Sequence, residues 1–193
     1  MKKIITGVLI TVAVIIIVMA AVFIYEKKCS RKKECSEMSE EEISSILEKQ
    51  QILFIMSYRP YTERYVGGYV IDCNGKKHRY ELSEHWPVGS IENEFALVAE
   101  HYAEFEAEDF WDLETLKNCT KKLYCVDPGA KVKKRGRMVA ADAPLTELYG
   151  IRLRDGKQEF VKLILKDSGQ TERLSDPSAD FIIEMFGDGW NLP

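Results

Sequence analysis

Residues 65–83 read YVGGYVIDCNGKKHRYELS, two alternating segments separated by Asn74-Gly75. Asn-Gly is strongly favoured in the type I′ turn of a two-residue hairpin loop, because both turn residues need positive φ. With this turn Ile71 would lie opposite His78, and Tyr69 opposite Tyr80. Successive residues of a strand point to opposite faces. The stretch therefore predicts a half-buried hairpin with one face made of Tyr69, Ile71, Cys73, His78, Tyr80 and Leu82.

Segments on both sides of this hairpin predict further strands. Residues 52–58 (ILFIMSY) form an apolar run that ends before Pro60, which favours a buried strand over a helix. The C-terminal part predicts three more strands joined by Gly-containing turns: residues 147–154, 158–166 and 171–175.

Short helices are predicted where a capping residue precedes apolar residues at helical spacing. These capping residues are Ser39, Ser90 and Asp176, and a further helix with Leu113, Leu116 and Leu123 is expected to start near Asp112. The second helix is expected to extend to residue 106. Strands and helices together predict an α+β fold: residues 39–193 form one domain of antiparallel β-hairpins with interspersed helices.

The N-terminal segment is dominated by an uncharged apolar run, Ile4 to Ile24. As a helix it would be about 31 Å long, close to the roughly 30 Å hydrocarbon core of a bilayer. No A-x-A cleavage site precedes Glu26. We therefore predict that residues 1–25 are an uncleaved single transmembrane helix, followed by a polybasic stalk, residues 26–38.

The charge is distributed unevenly between this segment and the rest of the chain. Seven basic residues and one acidic residue up to Lys33 give +6, so the net charge of −4 leaves −10 for residues 34–193. An acidic domain argues against nucleic acid as a partner. The basic residues behind the run favour a cytoplasmic domain, whereas the MKK start followed by an apolar run favours export. We expect an extracytoplasmic domain on the cell membrane, and the cytoplasmic orientation remains the alternative.

Two basic clusters are candidate membrane or partner contacts. The first lies in the stalk and consists of Lys27, Lys28, Arg31, Lys32 and Lys33. The second lies in residues 131–137, an expected loop or edge strand, and consists of Lys131, Lys133, Lys134, Arg135 and Arg137. Such clusters could contact the lipid bilayer, an anionic surface polymer or another membrane protein.

Acidic residues dominate the stretch from Glu81 to Glu114, which holds eleven of them and no Lys or Arg. Most of five glutamates on the predicted helix, namely Glu92, Glu94, Glu100, Glu104 and Glu106, are expected to lie off its apolar stripe, on a solvated face. The alternative is a patch that binds a basic partner.

No residue pattern points to catalysis, a metal or a cofactor. The five cysteines include two pairs with five intervening residues, whereas zinc sites favour two to four. Cys73 and His78 could form a thiol–imidazole couple, but ordinary core packing is the favoured interpretation. P-loop, G-x-G-x-x-G and H-E-x-x-H patterns are absent from the sequence.

The hairpin GGYVIDCNGKKHRYELS, with its preceding apolar strand and the late strand leading to a capped helix, resembles small membrane-tethered proteins and lipoproteins of Gram-positive bacteria. The resemblance covers about residues 51–83 and 148–190. It implies the tether, the outward orientation and the fold, but no site residues. This chain departs from the group in its uncleaved span and its lack of a lipobox.

These observations predict a membrane-anchored, extracytoplasmic, non-catalytic interaction domain. Two alternatives stay open at this point. One is a cytoplasmic-facing juxtamembrane regulator, and the other is a cell-surface hydrolase of unrecognised type.

Overall fold

A computed structural model describes residues 14–23, 38–60, 65–83, 90–136 and 144–187. The chain divides into two compact units, Met1–Met38 and Ser39–Pro193. In the first unit residues 14–23 are helical, and their large apolar side chains are exposed. None of the helices in the described ranges is both long and apolar enough to cross a bilayer. Most of the expected anchor (1–25) and stalk (26–38) lies outside the described residues.

The second unit is built on an eight-stranded antiparallel sheet, which confirms the α+β prediction. Its strands are β1 (Ile52–Arg59), β2 (Val66–Asp72), β3 (Lys76–Leu82), β4 (Ala107–Asp109), β5 (Val132–Arg135), β6 (Leu145–Arg154), β7 (Lys157–Asp167) and β8 (Gln170–Leu174). Their order across the sheet is β4-β3-β2-β1-β6-β7-β8-β5. The basic segment is thus an edge strand.

Each predicted capping residue starts a helix. The helices are α1 (Glu40–Lys49), α2 (Ile91–His101), α3 (Leu113–Cys125) and α4 (Pro177–Phe186). Ser39 and Glu42 form the full capping box, and Asp176 accepts from two backbone N–H groups with Pro177 in the first turn. The second helix is shorter than predicted, because a 3₁₀ turn replaces it at Tyr102–Glu104.

Helices pack on both faces of the sheet. On the first, here called the α2 face, Phe95 and Val98 of α2 join a core that includes Ile55, Val70 and Tyr149. On the second, the α4 face, the rings of Phe54 and Phe186 meet edge to face at 5.6 Å. Leu123 of α3 packs directly on Gly150, where a Cβ would lie 2.1 Å from the Leu123 Cδ1. Small residues in the strands therefore let helices approach the sheet closely.

The hairpin of residues 65–83 is confirmed, but the predicted register is wrong by one residue. Ile71 lies opposite Lys77, and Val70 opposite His78. As a result Tyr80 and Leu82 lie on the α2 face, whereas Ile71 lies on the α4 face against Phe54. A one-residue shift moves every later side chain to the other face.

The loop explains the shift. The Gly75 N–H donates to the Asp72 carbonyl at 3.1 Å, and in this turn Gly75 alone has positive φ, at 77°. The Asp72 carboxylate also accepts the backbone N–H groups of Asn74 (2.8 Å) and Lys76 (2.9 Å). The loop therefore has three residues, the longer alternative to a type I′ turn. Asp72 selects it by holding two backbone donors that a two-residue turn would place elsewhere.

Candidate interaction surface

The predicted basic segment is gathered on the exposed edge of the sheet. Within the described ranges β5 has β8 on one side and no strand on the other, and residues 131–135 are all exposed. Four predicted contact residues lie on this edge: Lys131, Lys133, Lys134 and Arg135. The remaining ones, Arg137 and the five of the stalk, lie outside the described residues.

The cations of β5 are divided between the two faces of the sheet. Lys134 pairs with Glu172 of β8. Lys133 lies opposite Arg173, whose guanidinium binds Asp180 of α4 at 2.7 Å, so Lys133 and Arg135 lie on the α4 face. No ion pair joins Lys133 or Arg135 to another described residue. Their charge is therefore available to a partner.

The backbone of β5 also has outward-pointing groups. The Ser175 N–H donates to the Lys131 carbonyl at 2.7 Å. Because hydrogen-bonded pairs alternate along an antiparallel ladder, the backbone groups of Lys133 and Arg135 also bond to β8. The N–H and C=O groups of Val132 and Lys134 then point away from the sheet. Such a row can pair with another strand.

The opposite edge, β4, is acidic. Ala107, Glu108 and Asp109 are exposed, and Glu108 pairs with Lys77 of β3. The Glu106 carbonyl accepts the Arg79 N–H at 3.2 Å. By the same alternation the backbone groups of Ala107 and Asp109 point outward. The two edges of the sheet thus carry opposite charge.

One acidic residue of this stretch is buried, against the expectation of a solvated face. Glu94 is 0% exposed, and its carboxylate accepts from Ser57 Oγ (2.9 Å), Arg59 Nη2 (2.9 Å) and Tyr80 Oη (2.5 Å). It follows Ile91 by three positions, and this spacing places it on the buried stripe of α2. The spacing was the signal in the sequence, whereas its partners come from two distant strands.

A second ion pair lies on the same face of the sheet. Glu147 accepts from Lys162 Nζ at 2.6 Å and from Tyr149 Oη at 2.9 Å. Burial raises the pKa of Tyr149 to about 12, although the bond to Lys162 opposes that shift. Burial, followed by the charge of Glu94, raises the pKa of Tyr80 well above its usual value. Both phenols therefore remain neutral donors at physiological pH.

These groups are balanced pairs rather than a reactive centre. Burial disfavours the Arg59 cation, but the bond and charge of Glu94 outweigh burial and raise the pKa of Arg59. Two carboxylates, Glu94 and Glu147, are matched by two cations, Arg59 and Lys162. The Glu94 pair joins α2 to β1, and the Glu147 pair joins β6 to β7.

The possible thiol–imidazole couple is not assembled. His78 Nε2 lies 3.2 Å from Asp72 Oδ2, and its ring meets Tyr102 edge to face at 5.2 Å. Burial, followed by the nearby Asp72 charge, raises the pKa of Cys73, which disfavours its thiolate. His78 is thus held by Asp72 as part of the core, as its favoured interpretation predicted.

The other described cysteines lie on α3. Cys119 is a buried free thiol, and burial raises its pKa to about 12. Cys125 is disulfide-bonded. The pair with five intervening residues therefore forms neither a disulfide nor a thiolate metal site.

A cavity of about 270 Å³ lies beside β7, β8 and β5. Its described lining is mainly apolar and includes Phe160, Leu163 and Leu174, with Lys162 and Glu172 as the ionisable residues. No histidine is among those lining residues. The cavity thus lacks the grouping of histidine and acids that would favour a hydrolase.

No protein-family model matches the chain, and no curated protein or solved structure matches it either. The charged edges of the sheet and the apolar N-terminal run are therefore the features of the chain that bear on its function.

Proposed function

We propose that this protein is a membrane-anchored, extracytoplasmic, non-catalytic interaction domain that binds an anionic partner through β5. The observation that carries the proposal is the exposed edge strand with Lys131, Lys133 and Arg135 on one side and outward backbone groups at Val132 and Lys134. Exposed charge of one sign attracts a partner of the other sign.

Two observations support the anchor and its orientation. The uncharged run Ile4–Ile24 is long enough to span a bilayer, and the large apolar side chains of residues 14–23 are exposed. The MKK start followed by an apolar run is typical of export signals and favours the outward orientation over the cytoplasmic alternative.

The orientation predicts which cysteine reacts on intact cells. A single-cysteine version that retains only Cys35 should react with a membrane-impermeant thiol reagent without lysis, because the stalk would lie outside. The matched control carries Lys2→Cys as its single cysteine and should react only after lysis. Protection of Cys35 together with labelling at position 2 would support the cytoplasmic regulator instead.

The role of β5 predicts a loss of anion binding on neutralisation. In the full chain, reconstituted in phosphatidylcholine nanodiscs, K131Q/K133Q/R135Q should weaken binding of fluorescent polyglutamate by about 10-fold or more, since each basic residue near an anionic surface contributes about 1 kcal/mol. The control K76Q/R79Q/K157Q removes the same charge from exposed positions elsewhere. Equal weakening in both variants would mean that only net charge matters, and the proposal would fail.

A further inference from the structure

The topology of the sheet allows edge strand β4 of one copy to lie antiparallel to edge strand β5 of another copy. All seven strand pairings are antiparallel, so strand direction alternates across the eight strands. Because the number of strands is even, β4 and β5 run in opposite directions. A second copy placed beside the first, with the same face upward, would therefore set its β4 antiparallel to β5.

One register satisfies the outward backbone groups of both edges. These groups belong to Ala107 and Asp109 on β4 and to Val132 and Lys134 on β5. Placing Ala107 opposite Lys134 puts Asp109 opposite Val132. Each outward residue then faces another outward residue, as the hydrogen-bonded pairs of an antiparallel ladder require.

The same register sets opposite charges against each other. Glu108 falls opposite Lys133, and Glu106 opposite Arg135. Glu108 lies on the α4 face, because it pairs across β3 with Lys77, whose partner on β2 is Ile71. Lys133 and Arg135 lie on that face too, so both charge pairs would form on one side of the continued sheet.

We propose that β5 binds the acidic edge strand β4 of a second copy of this chain, so that the sheet continues from one molecule to the next. This inference rests on the proposed function of β5 and names its partner. The contact is head to tail and leaves a free β4 and a free β5 at the ends, so it can repeat from one copy to the next.

Charge excludes the other two edge pairings. Contact between two β5 strands would set cations against cations, and contact between two β4 strands would set carboxylates against carboxylates, which is how proteins protect exposed edges. The strands have only three and four residues, so the contact in solution would be weak. Confinement of the anchored chains to one bilayer raises their effective concentration.

The test measures energy transfer between donor- and acceptor-labelled full chains in phosphatidylcholine vesicles. Energy transfer between wild-type copies should exceed the transfer expected for anchored proteins that mix at random in the bilayer. E106K/E108K makes both edges basic, and K133E/R135E makes both edges acidic, so each variant alone should fall to the random level. Mixing the two variants should restore transfer, because each then meets the complementary edge. Random transfer in the wild type, or no restoration in the mixture, would overturn the inference.

A backbone variant separates strand pairing from simple attraction. Ala107→Pro removes one outward N–H without changing charge, and proline is tolerated at such an edge position. It should lower transfer to the random level while circular dichroism stays unchanged. Transfer at the wild-type level in this variant would exclude a continued sheet. The variant therefore tests strand pairing between copies even if the charge variants fold poorly.

The polyglutamate assay distinguishes this inference from the proposed function. Ala107→Pro leaves both β5 and the net charge of the chain unchanged, so this variant should bind polyglutamate as the wild type does. Random transfer together with β5-dependent polyglutamate binding would reject the second copy and leave β5 as a contact for another anion. Random transfer together with polyglutamate binding that does not depend on β5 would reject β5 as a contact surface for any partner.

Discussion

Replacing Glu94 by alanine should lower the free energy of unfolding by about 3–5 kcal/mol, the range for breaking a buried ion pair by removing one partner. The carboxylate is fully buried and accepts from Ser57, Arg59 and Tyr80. Without it Ser57 Oγ and Arg59 Nη2 lose their acceptor, whereas Tyr80 keeps the Met56 carbonyl, and the guanidinium stays half-buried beside an empty space. Denaturant unfolding of the full chain in detergent, followed by circular dichroism, measures the change.

The matched control is Glu100→Ala on the same helix. Glu100 is exposed in the last turn, so its removal should change the unfolding free energy by less than about 0.5 kcal/mol. The double variant E94L/R59M removes both charges, and it should be less destabilised than Glu94→Ala because no buried charge is left alone. Equal losses for Glu94→Ala and Glu100→Ala would show that the buried network contributes nothing.

The second large effect is expected at Gly68, where substitution by alanine should lower the free energy of unfolding by about 3 kcal/mol or more. A Cβ there would lie 1.9 Å from the Met56 carbonyl oxygen and 2.7 Å from Tyr80 Oη. The first atom belongs to the backbone of β1, which cannot move without opening the sheet. Tyr80 also crosses Gly68 to donate to that carbonyl at 3.0 Å, so the same substitution disturbs the Glu94 network.

The neighbouring glycine provides the control. A Cβ at Gly67 would lie 3.4 Å from its nearest neighbours, Tyr65 Cε2 and the Tyr80 carbonyl oxygen, which is ordinary contact. The free energy of unfolding of Gly67→Ala should therefore lie within about 1 kcal/mol of the wild-type value. Similar unfolding midpoints for the two alanine variants would contradict the close approach of β1 to Gly68.

Local signals in the sequence predicted most elements of the fold. Ser39, Ser90, Asp112 and Asp176 start helices because a short side-chain acceptor can satisfy N–H groups that the helix leaves without partners. Six of the strands follow from apolar runs and Gly-containing turns, whereas the acidic β4 was not predicted and β5 was expected only as a loop or an edge strand. These signals act within a few residues, so they can be read without knowing the tertiary structure.

The hairpin register and the buried glutamate were missed for a shared reason. Asn74-Gly75 is compatible with two loop lengths, and the Asp72 carboxylate selects the longer one through bonds to the Asn74 and Lys76 backbones. Glu94 lies on a helix whose neighbouring acids are exposed, and only donors on other strands make its burial possible. Both outcomes depend on which side chains converge in space.

The sequence by itself determined that the chain has a long apolar run, a basic flank, an acidic remainder and a set of capped helices and short strands. These are properties of composition and of spacing over a few residues. The tertiary structure alone decided that the basic segment and an acidic segment occupy opposite edges of one sheet. The reason is physical: strand order is set by long-range hydrogen bonding and helix packing, and neither leaves a periodic signal in the chain.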